Sequence, residues 1–182
     1  MDRARRSLIL GTAALPAALG AARAARAQAP DVGYVPTPEP VALAMLKLAG
    51  VGPRDVVYDL GSGDGRIAIL AARRHGARAV GVEIDPARVA EARRAAARAR
   101  VDDRVRFVAG DLFEQDLSPA TVVTLYLLPR LNLRLRPTLL ALAPGTRIVS
   151  HGFDMGDWPP ERVQTVRDRP IYRWTVPPPA AG

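Results

Sequence analysis

The sequence predicts an α/β fold in which a mostly parallel sheet is covered by helices on both faces. Beyond Pro30, short runs rich in β-branched residues alternate with stretches of helical periodicity, the pattern of strand–helix–strand units. The run from Val56 to Leu70 shows the pattern most clearly, because three glycines at alternate positions separate its strand from its helix. A length of 182 residues and a hydrophobic content of 48% are typical of one globular domain.

The first 29 residues are expected to lie outside this fold. They combine a basic start, an uncharged stretch from Ser7 to Ala22 and the small-x-small sequence Ala27-Gln28-Ala29, which together are typical of a signal peptide. Arg5 and Arg6 indicate a twin-arginine signal, which directs the export of folded proteins. The predicted organisation is therefore a signal peptide over 1–29 and a folded domain over 30–182.

Two alternatives to a signal peptide differ in what they predict. A membrane anchor is disfavoured, because 16 uncharged helical residues span only about 24 Å, less than a hydrocarbon core of roughly 30 Å. A misassigned start codon, with a true start near Val32, remains open. The predicted location is the periplasm if the signal is real and the cytoplasm if the start is misassigned.

Charge and composition exclude several classes of function. Five of the 26 basic residues and one of the 18 acidic residues lie in the first 29 positions, which leaves a net charge of only about +4 beyond them. That charge is too weak to predict nucleic-acid binding, and the arginines at 88, 93, 94, 98 and 100 are interpreted as a solvated helix face. No cysteine is present, and two distant histidines predict no metal site.

The elements beyond Pro30 follow one another in a regular order. Thr37 is predicted to cap a first helix that starts at Pro38 and ends at Gly50, and Asp85-Pro86 is predicted to start a later one. Further helices are predicted over Arg66–His75 and Leu133–Leu142. Parallel strands are predicted over Val56–Asp59, Ala79–Glu83, Val105–Ala109, Thr121–Leu127 and Arg147–Ser150, and a closing hairpin turns around Asp168 to Pro170.

The glycine-rich turn after the first strand indicates a ligand site. Gly61, Gly63 and Gly65 allow a tight turn and a close approach of the backbone to a ligand. The spacing differs from the dinucleotide-binding G-x-G-x-x-G, because the third glycine comes one residue early. Asp59 and Asp64 place carboxylates at this turn, which favours a cationic ligand over a pyrophosphate.

Two further acidic residues follow the next strands. Glu83 lies at the end of the second strand, 22 positions after Gly61, where a carboxylate can accept hydrogen bonds from both hydroxyls of a ribose. Asp111 follows the third strand, where its carboxylate can accept from an adenine amino group.

The segments "DLGSGDG", "GVEID" and "VAGDLF" resemble, in order and spacing, the cofactor motifs of class I S-adenosylmethionine-dependent methyltransferases. The resemblance covers Tyr34 to Val176. It implies a Rossmann-like, seven-stranded sheet and S-adenosyl-L-methionine as cofactor. It also implies that Asp59 and the glycines surround the methionine moiety, that Glu83 binds the ribose and that Asp111 binds the adenine.

A narrower resemblance lies in the flanking segments "YVPTPEPVALAML", "TVVTLYLLPRLNLRLRP" and "SHGFDMGDW". These are similar to the small protein-lysine methyltransferases that include the enzymes modifying the ATP synthase c-subunit and the adenine nucleotide translocase. The resemblance implies protein-lysine N-methylation, a protein acceptor and a compact core. The export signal departs from this family, whose members work where the cofactor is made.

Fewer residues of the sequence indicate where the methyl acceptor binds. Tyr126, in "TLYLLP", is the candidate catalytic residue, because its hydroxyl or ring face can orient an amine; packing in the strand is the alternative. The same segment lacks the Asn/Asp-Pro-Pro-Tyr signature of methyltransferases acting on nucleobases and glutamine. Asn132 is expected either to place the acceptor or to cap a helix, and His151 to lie at the active-site edge, with a possible role in proton transfer.

Two other functions fit the same residues. One is a small-molecule methyltransferase of the same fold, and the other is an exported S-adenosylmethionine-binding protein with little catalysis. Methylated lysine, turnover without protein labelling, and cofactor affinity with neither would distinguish the three. The sequence gives no indication of the oligomeric state.

Overall fold

The computed structural model describes residues 35–178, which form one seven-stranded sheet with helices on both faces. The strands are β1 (Val56–Leu60), β2 (Arg78–Glu83), β3 (Val105–Ala109), β4 (Val122–Leu125), β5 (Arg147–His151), β6 (Arg162–Val166) and β7 (Arg169–Thr175). The helices are α1 (Glu39–Leu48), α2 (Arg66–His75), α3 (Pro86–Ala99) and α4 (Pro129–Leu140), with a 3₁₀ turn at Leu112–Glu114. The predicted signal peptide, 1–29, lies outside the described residues.

The sheet has the strand order β3-β2-β1-β4-β5-β7-β6. The first five strands in the chain are parallel, and β7 runs antiparallel to both β5 and β6. The chain moves outward from β1 through β2 to β3 and then crosses back to β4, so the direction of winding reverses between β1 and β4. Ligands bind at the carboxyl ends of the strands at such a switch point. The predicted sheet is confirmed.

Two hydrophobic clusters cover the two faces of the sheet. Alternate residues of β1 face opposite sides, so Val57 packs with α1, α2 and α3, whereas Leu60 packs with Leu131, Leu135 and Leu139 of α4. All of these side chains are 5% exposed or less. The burial on both faces holds the carboxyl ends of the parallel strands in fixed register, which is what positions the site residues.

The predicted start of α3 is confirmed, and that of α1 is wrong. Asp85 caps α3, and its Oδ1 accepts a hydrogen bond of 2.8 Å from the backbone N–H of Ala87. Helix α1 begins at Glu39 after Pro38, without a side-chain cap. The hydroxyl of Thr37 is instead within hydrogen-bond distance of the ring of His151, so a long-range partner displaces the local one.

Helix α4 begins four residues earlier than predicted, at Pro129. Proline is favoured at the first helical position, where the missing N–H is not needed, and the sequence had been interpreted as strand up to Leu127. Asn132 therefore lies inside α4 and is not its cap. Its buried amide donates to Ser150 Oγ at 3.1 Å and to the carbonyl of Asp154 at 3.2 Å, which ties α4 to the end of β5.

The hairpin and the end of β4 also differ slightly from expectation. The hairpin turns at Arg167 and Asp168, whose φ angles are 49° and 59°, and Pro170 lies inside β7. Two adjacent residues with positive φ match the twist of a two-residue hairpin. Strand β4 ends at Leu125, so Tyr126 is the first residue beyond it.

Candidate active site

A pocket of about 280 Å³ opens at the carboxyl ends of the four parallel strands around the switch point. Its walls come from the chain before α1 and from the segments that follow β1, β2, β3 and β4. The lining includes Val35, Pro36, Thr37, Asp59, Gly61, Ser62, Glu83, Asp111, Phe113, Tyr126, Leu131 and Arg134. The topology thus brings together residues that are up to 99 positions apart in the chain.

The three glycines of the turn have different places in the structure. All have positive φ, but only Gly61 lines the pocket. A Cβ on Gly65 would lie 2.4 Å from Cζ of Phe107, so this glycine allows the start of α2 to pack closely on β3. The backbone N–H of Gly63 donates to Glu83. Two of the three glycines therefore shape the turn behind the pocket surface.

Glu83 joins the end of β2 to the glycine turn. Its Oε2 accepts 2.8 Å from the N–H of Gly63, and its Oε1 accepts 3.0 Å from the N–H of Asp85. A carboxylate offers about four acceptor positions, and these bonds use two of them. Acceptor positions remain for a ligand at the pocket, which Glu83 lines.

Asp111 lies between β3 and the 3₁₀ turn. Its Oδ1 accepts a 2.9 Å hydrogen bond from the N–H of Phe113 and caps that turn. Its backbone carbonyl accepts from the side chain of Gln115 at 2.8 Å. These local bonds fix the position of Asp111, which lines the pocket.

The carboxyl group of Asp59 is strongly perturbed by its surroundings. The residue is 3% exposed, and its Oδ1 accepts a 2.7 Å hydrogen bond from the hydroxyl of Thr124 on β4. Burial raises the pKa of Asp59 to about 7; the Thr124 hydrogen bond opposes this rise, and the charges of Asp64 and Glu83 add to it. A cation entering the pocket would favour the ionised form. No pattern in the sequence predicted Thr124 as a hydrogen-bond partner of Asp59.

The second carboxylate of the turn has an internal partner. Asp64 accepts hydrogen bonds from the guanidinium of Arg66 at 2.6 and 3.0 Å. The same guanidinium donates from Nη1 to the carbonyl of Thr37 at 3.0 Å. Arg66 therefore partly neutralises Asp64 and fixes the chain before α1 over the turn. Of the two carboxylates that predicted a cationic ligand, Asp59 is the one without a basic partner among the described residues.

Tyr126 lines the pocket and stacks on the ring of His151, with centroids 4.0 Å apart and an interplanar angle of 30°. His151 itself is 1% exposed and does not line the pocket. On another wall, the guanidinium of Arg134 lies 3.6 Å from the ring centroid of Phe113. This pair was not predicted, because it joins α4 to the 3₁₀ turn.

The donors and acceptors of the pocket fit S-adenosylmethionine. Glu83 and Asp111 provide acceptors for hydroxyl and amino groups, and Asp59 can face a positive charge. The buried hydroxyl of Ser62 has no hydrogen-bond partner among the described residues and belongs to the pocket lining.

Residues 35–178 contain neither a candidate metal site nor a candidate membrane-spanning helix. Histidine, aspartate and glutamate side chains form no group of three or more suited to a metal ion in this part of the chain. Over the same range, every helix is too short or too polar to cross a bilayer.

Comparison with known proteins agrees with the geometry. The family model described as the ANTKMT methyltransferase domain matches residues 59–162. A protein-lysine N-methyltransferase from Saccharolobus islandicus is 49% identical over 76% of this chain and 88% of that protein. The mouse adenine nucleotide translocase lysine N-methyltransferase is 36% identical over 76% of this chain, which spans 59% of the mouse protein.

A solved structure extends the comparison to the cofactor. An RNA methyltransferase from Salinibacter ruber, in complex with S-adenosyl-L-homocysteine, is 60% identical and has a TM-score of 0.78. The match covers 79% of this chain and 94% of that one. The family model's residues 59–162 include the pocket residues from Asp59 to Arg134. The chain therefore belongs to the family of the ANTKMT methyltransferase domain, and it is an S-adenosylmethionine-dependent methyltransferase.

Proposed function

We propose that this chain is a protein-lysine N-methyltransferase. The observation that carries the proposal is the 49% identity to the protein-lysine N-methyltransferase of Saccharolobus islandicus, of which the chain covers 88%. The mouse relative, whose acceptor is also a lysine, supports the same class. Two of the three segments on which the narrower resemblance rested contribute to the pocket, with Thr37 from the first and Tyr126 and Arg134 from the second.

We infer the cofactor contacts from the acceptor positions that the fold leaves available. Glu83 binds the ribose hydroxyls, because two of its acceptor positions are not used by the turn. Asp111 accepts from the adenine amino group, since only one of its oxygens caps the 3₁₀ turn. Asp59 and Gly61 lie at the methionine moiety, where the buried carboxylate faces the positive charges of the cofactor.

Bound S-adenosylmethionine supplies an electrophilic methyl group on a positively charged sulfur. The chain has to hold a neutral lysine amine in line with that group, because only the unprotonated nitrogen has a lone pair to donate. Tyr126 lines the pocket one residue after β4, at the switch point between β1 and β4. Its hydroxyl or ring face orients the amine, which makes it the candidate catalytic residue.

RNA is the second candidate acceptor, and one observation favours it. The 60% identical protein from Salinibacter ruber is described as an RNA methyltransferase. The basic helix α3 gives limited support, because Arg88 pairs with Glu91 and Arg93 donates to the carbonyl of Phe107. Because these arginines make contacts within the fold, they are weak support for an RNA acceptor. A lysine acceptor is therefore the better supported of the two.

The acceptor can be identified by labelling an extract. The full chain is incubated with methyl-labelled S-adenosylmethionine and a cell-envelope extract, and the product is treated separately with protease and with ribonuclease. The proposal predicts label that protease releases from large molecules and ribonuclease does not. Label sensitive to ribonuclease, or found only in small molecules, would assign RNA or a metabolite, and cofactor binding without labelling would assign a binding protein.

We also propose that the chain is exported and cleaved after Ala29, on the basis of its basic start, Arg5, Arg6 and the small-x-small site. Replacing Arg5 and Arg6 together by lysine keeps the charge and removes the twin-arginine signal. The double variant is expected to accumulate inside the cell as uncleaved protein. Equal periplasmic yield of variant and wild type would contradict export, and uncleaved wild type in the cytoplasm would favour a start near Val32.

A further inference from the structure

Thr37 and His151 form a contact between two segments that lie far apart in the sequence. Thr37 lies just before α1, and His151 is the last residue of β5. Thr37 Oγ1 is 3.2 Å from His151 Nδ1, and the side chains are 4% and 1% exposed. This contact belongs to no helix cap or turn, and one of its two residues, Thr37, lines the pocket.

The ring of His151 supports Tyr126. Leu125 of β4 is in register with Ser150 of β5, so Tyr126 and His151 follow as neighbours where the two strands end. Their rings stack at 4.0 Å, and a Cβ on Gly152 would lie 3.6 Å from Cε2 of Tyr126. The tyrosine ring is thus held against His151 while it lines the pocket.

The charge and tautomer of His151 follow from its surroundings. Burial lowers the pKa of His151 to about 4, with a smaller contribution from the positive charge of Arg169, so the ring is neutral at physiological pH. Its Nε2 is buried without a hydrogen-bond partner among the described residues. An orphaned buried N–H is rarer than an orphaned acceptor. The proton is therefore assigned to Nδ1, which donates to Thr37 Oγ1.

A second hydrogen bond holds Thr37, through its backbone. Its backbone carbonyl accepts from Nη1 of Arg66, the residue that also holds Asp64 of the glycine turn. Thr37 is itself part of the pocket lining. The short segment before α1 is thereby fixed to the cofactor side through Arg66 and to the acceptor side through His151.

We propose that Thr37 and His151 are positioning residues that act through Tyr126 to orient the acceptor amine. The proposal rests on the proposed transfer to a lysine and adds to it the residues that hold the orienting tyrosine. Loss of the Thr37–His151 hydrogen bond leaves the ring of Tyr126 free to tilt. Alignment of the amine then suffers, while the carboxylates proposed to bind the cofactor are unchanged.

The test uses four variants of the full chain. Thr37→Val removes the hydroxyl at nearly constant shape, Thr37→Ser restores it, and His151→Phe keeps a stacking ring without Nδ1. Thr146→Val is the matched control, because Thr146 is also 4% exposed and its hydroxyl makes a long-range hydrogen bond, to Ala120, outside the pocket. We expect Thr37→Val and His151→Phe to lower kcat about tenfold, with Thr37→Ser and Thr146→Val close to wild type.

Two further measurements separate positioning from a structural role. Calorimetric titration should show S-adenosylhomocysteine affinity within about twofold of wild type in every variant, since a positioning role leaves cofactor binding intact. When Tyr126 is already replaced by alanine, adding Thr37→Val should not lower kcat further, because there is no ring left to position. Equal losses of kcat with and without Tyr126, or a parallel loss of cofactor affinity, would overturn the proposal.

Nitrogen NMR of the imidazole rings provides a readout independent of activity. The chain has two histidines, so the signals of His75 and His151 can be assigned with a single His75 variant. We expect His151 to carry its proton on Nδ1 and to stay neutral down to about pH 4. Thr37→Val should shift the Nδ1 signal, because its hydrogen-bond partner is removed; an Nδ1 signal that is the same in wild type and Thr37→Val would contradict the proposal. If wild type methylates RNA or a metabolite, the lysine assignment fails. The effect of Thr37→Val on kcat with and without Tyr126→Ala, measured on that acceptor, still decides whether Thr37 is a positioning residue.

Discussion

The backbone N–H of Gly63 donates a 2.8 Å hydrogen bond to Oε2 of Glu83, twenty residues further along the chain. This bond joins the glycine turn after β1 to the end of β2. Glu83 therefore has two functions in our account, since it stabilises the turn and offers its remaining acceptor positions to the ribose.

Replacing Glu83 should weaken the cofactor site more than replacing Asp111. Glu83→Ala removes acceptors for two hydroxyls and for the turn, so we expect a loss of about 1.5 to 3 kcal/mol in S-adenosylhomocysteine binding. Asp111→Ala should reduce the binding free energy less, because Asp111 accepts from only one group of the ligand, the adenine amine. Calorimetric titration measures both affinities, with circular dichroism as a check on folding. Unchanged affinity in a folded Glu83 variant would remove this residue from the site.

Asp59 should make stability depend on pH. Its pKa is about 7 in the folded protein against 3.8 for an ordinary aspartate, so between these values the folded state holds a proton that the unfolded state has lost. The contribution of Asp59 to the free energy of unfolding is therefore largest below pH 3.8 and declines as pH rises to 7. Urea unfolding of wild type and Asp59→Asn should show a difference that changes across this window. A constant difference would contradict the raised pKa.

The same titration should appear in cofactor binding. If the positively charged cofactor ionises Asp59, binding below pH 7 releases a proton, and affinity rises with pH up to about 7. Calorimetry in buffers of different ionisation enthalpy measures this release. It should be absent from Asp59→Asn, and equal release by both proteins would assign the proton to another group.

The sequence predicted most of this fold because its signals are local. Arg66–His75 and Val105–Ala109 were predicted to the residue, since glycines and strand periodicity mark their ends. The start of α4 was missed because a proline after leucines is compatible with a strand end as well as a helix start. The contact between Thr37 and His151 spans 114 residues and depends on strand order, so no local pattern contains it.

The glycines of the turn should differ in what a methyl group costs. Gly65→Ala meets Cζ of Phe107 at 2.4 Å with φ at 79°, so we expect at least about 2 kcal/mol of destabilisation. Gly145 is the matched control, because its φ is 87° and a Cβ there meets nothing within 4 Å. Gly145→Ala should cost about 1 kcal/mol. Denaturant unfolding compares the two, and equal costs would show that packing against Phe107 is not what Gly65 provides.

Tyr126 should act on the acceptor and not on the cofactor. Tyr126→Phe keeps the ring that stacks on His151 and removes the hydroxyl, whereas Tyr126→Ala removes both. If the hydroxyl aligns the amine, Tyr126→Phe lowers kcat on a lysine acceptor while S-adenosylhomocysteine affinity stays within error of wild type. If the ring aligns the amine, Tyr126→Phe has almost no effect on kcat and Tyr126→Ala lowers it strongly. Full methylation by both variants would exclude Tyr126 from the active site. Loss of cofactor affinity in both would make it a packing residue.

The nature of the methylated atom tests the central claim most directly. The acceptor labelled in the extract is digested and its modified position identified by tandem mass spectrometry. Lys47, the one lysine of this chain, is replaced by arginine so that labelling of the enzyme itself cannot be mistaken for labelling of a partner. The account predicts a methyl group on Nζ of a lysine in another protein. A methyl group on a nucleotide, a metabolite or a different side chain would contradict it.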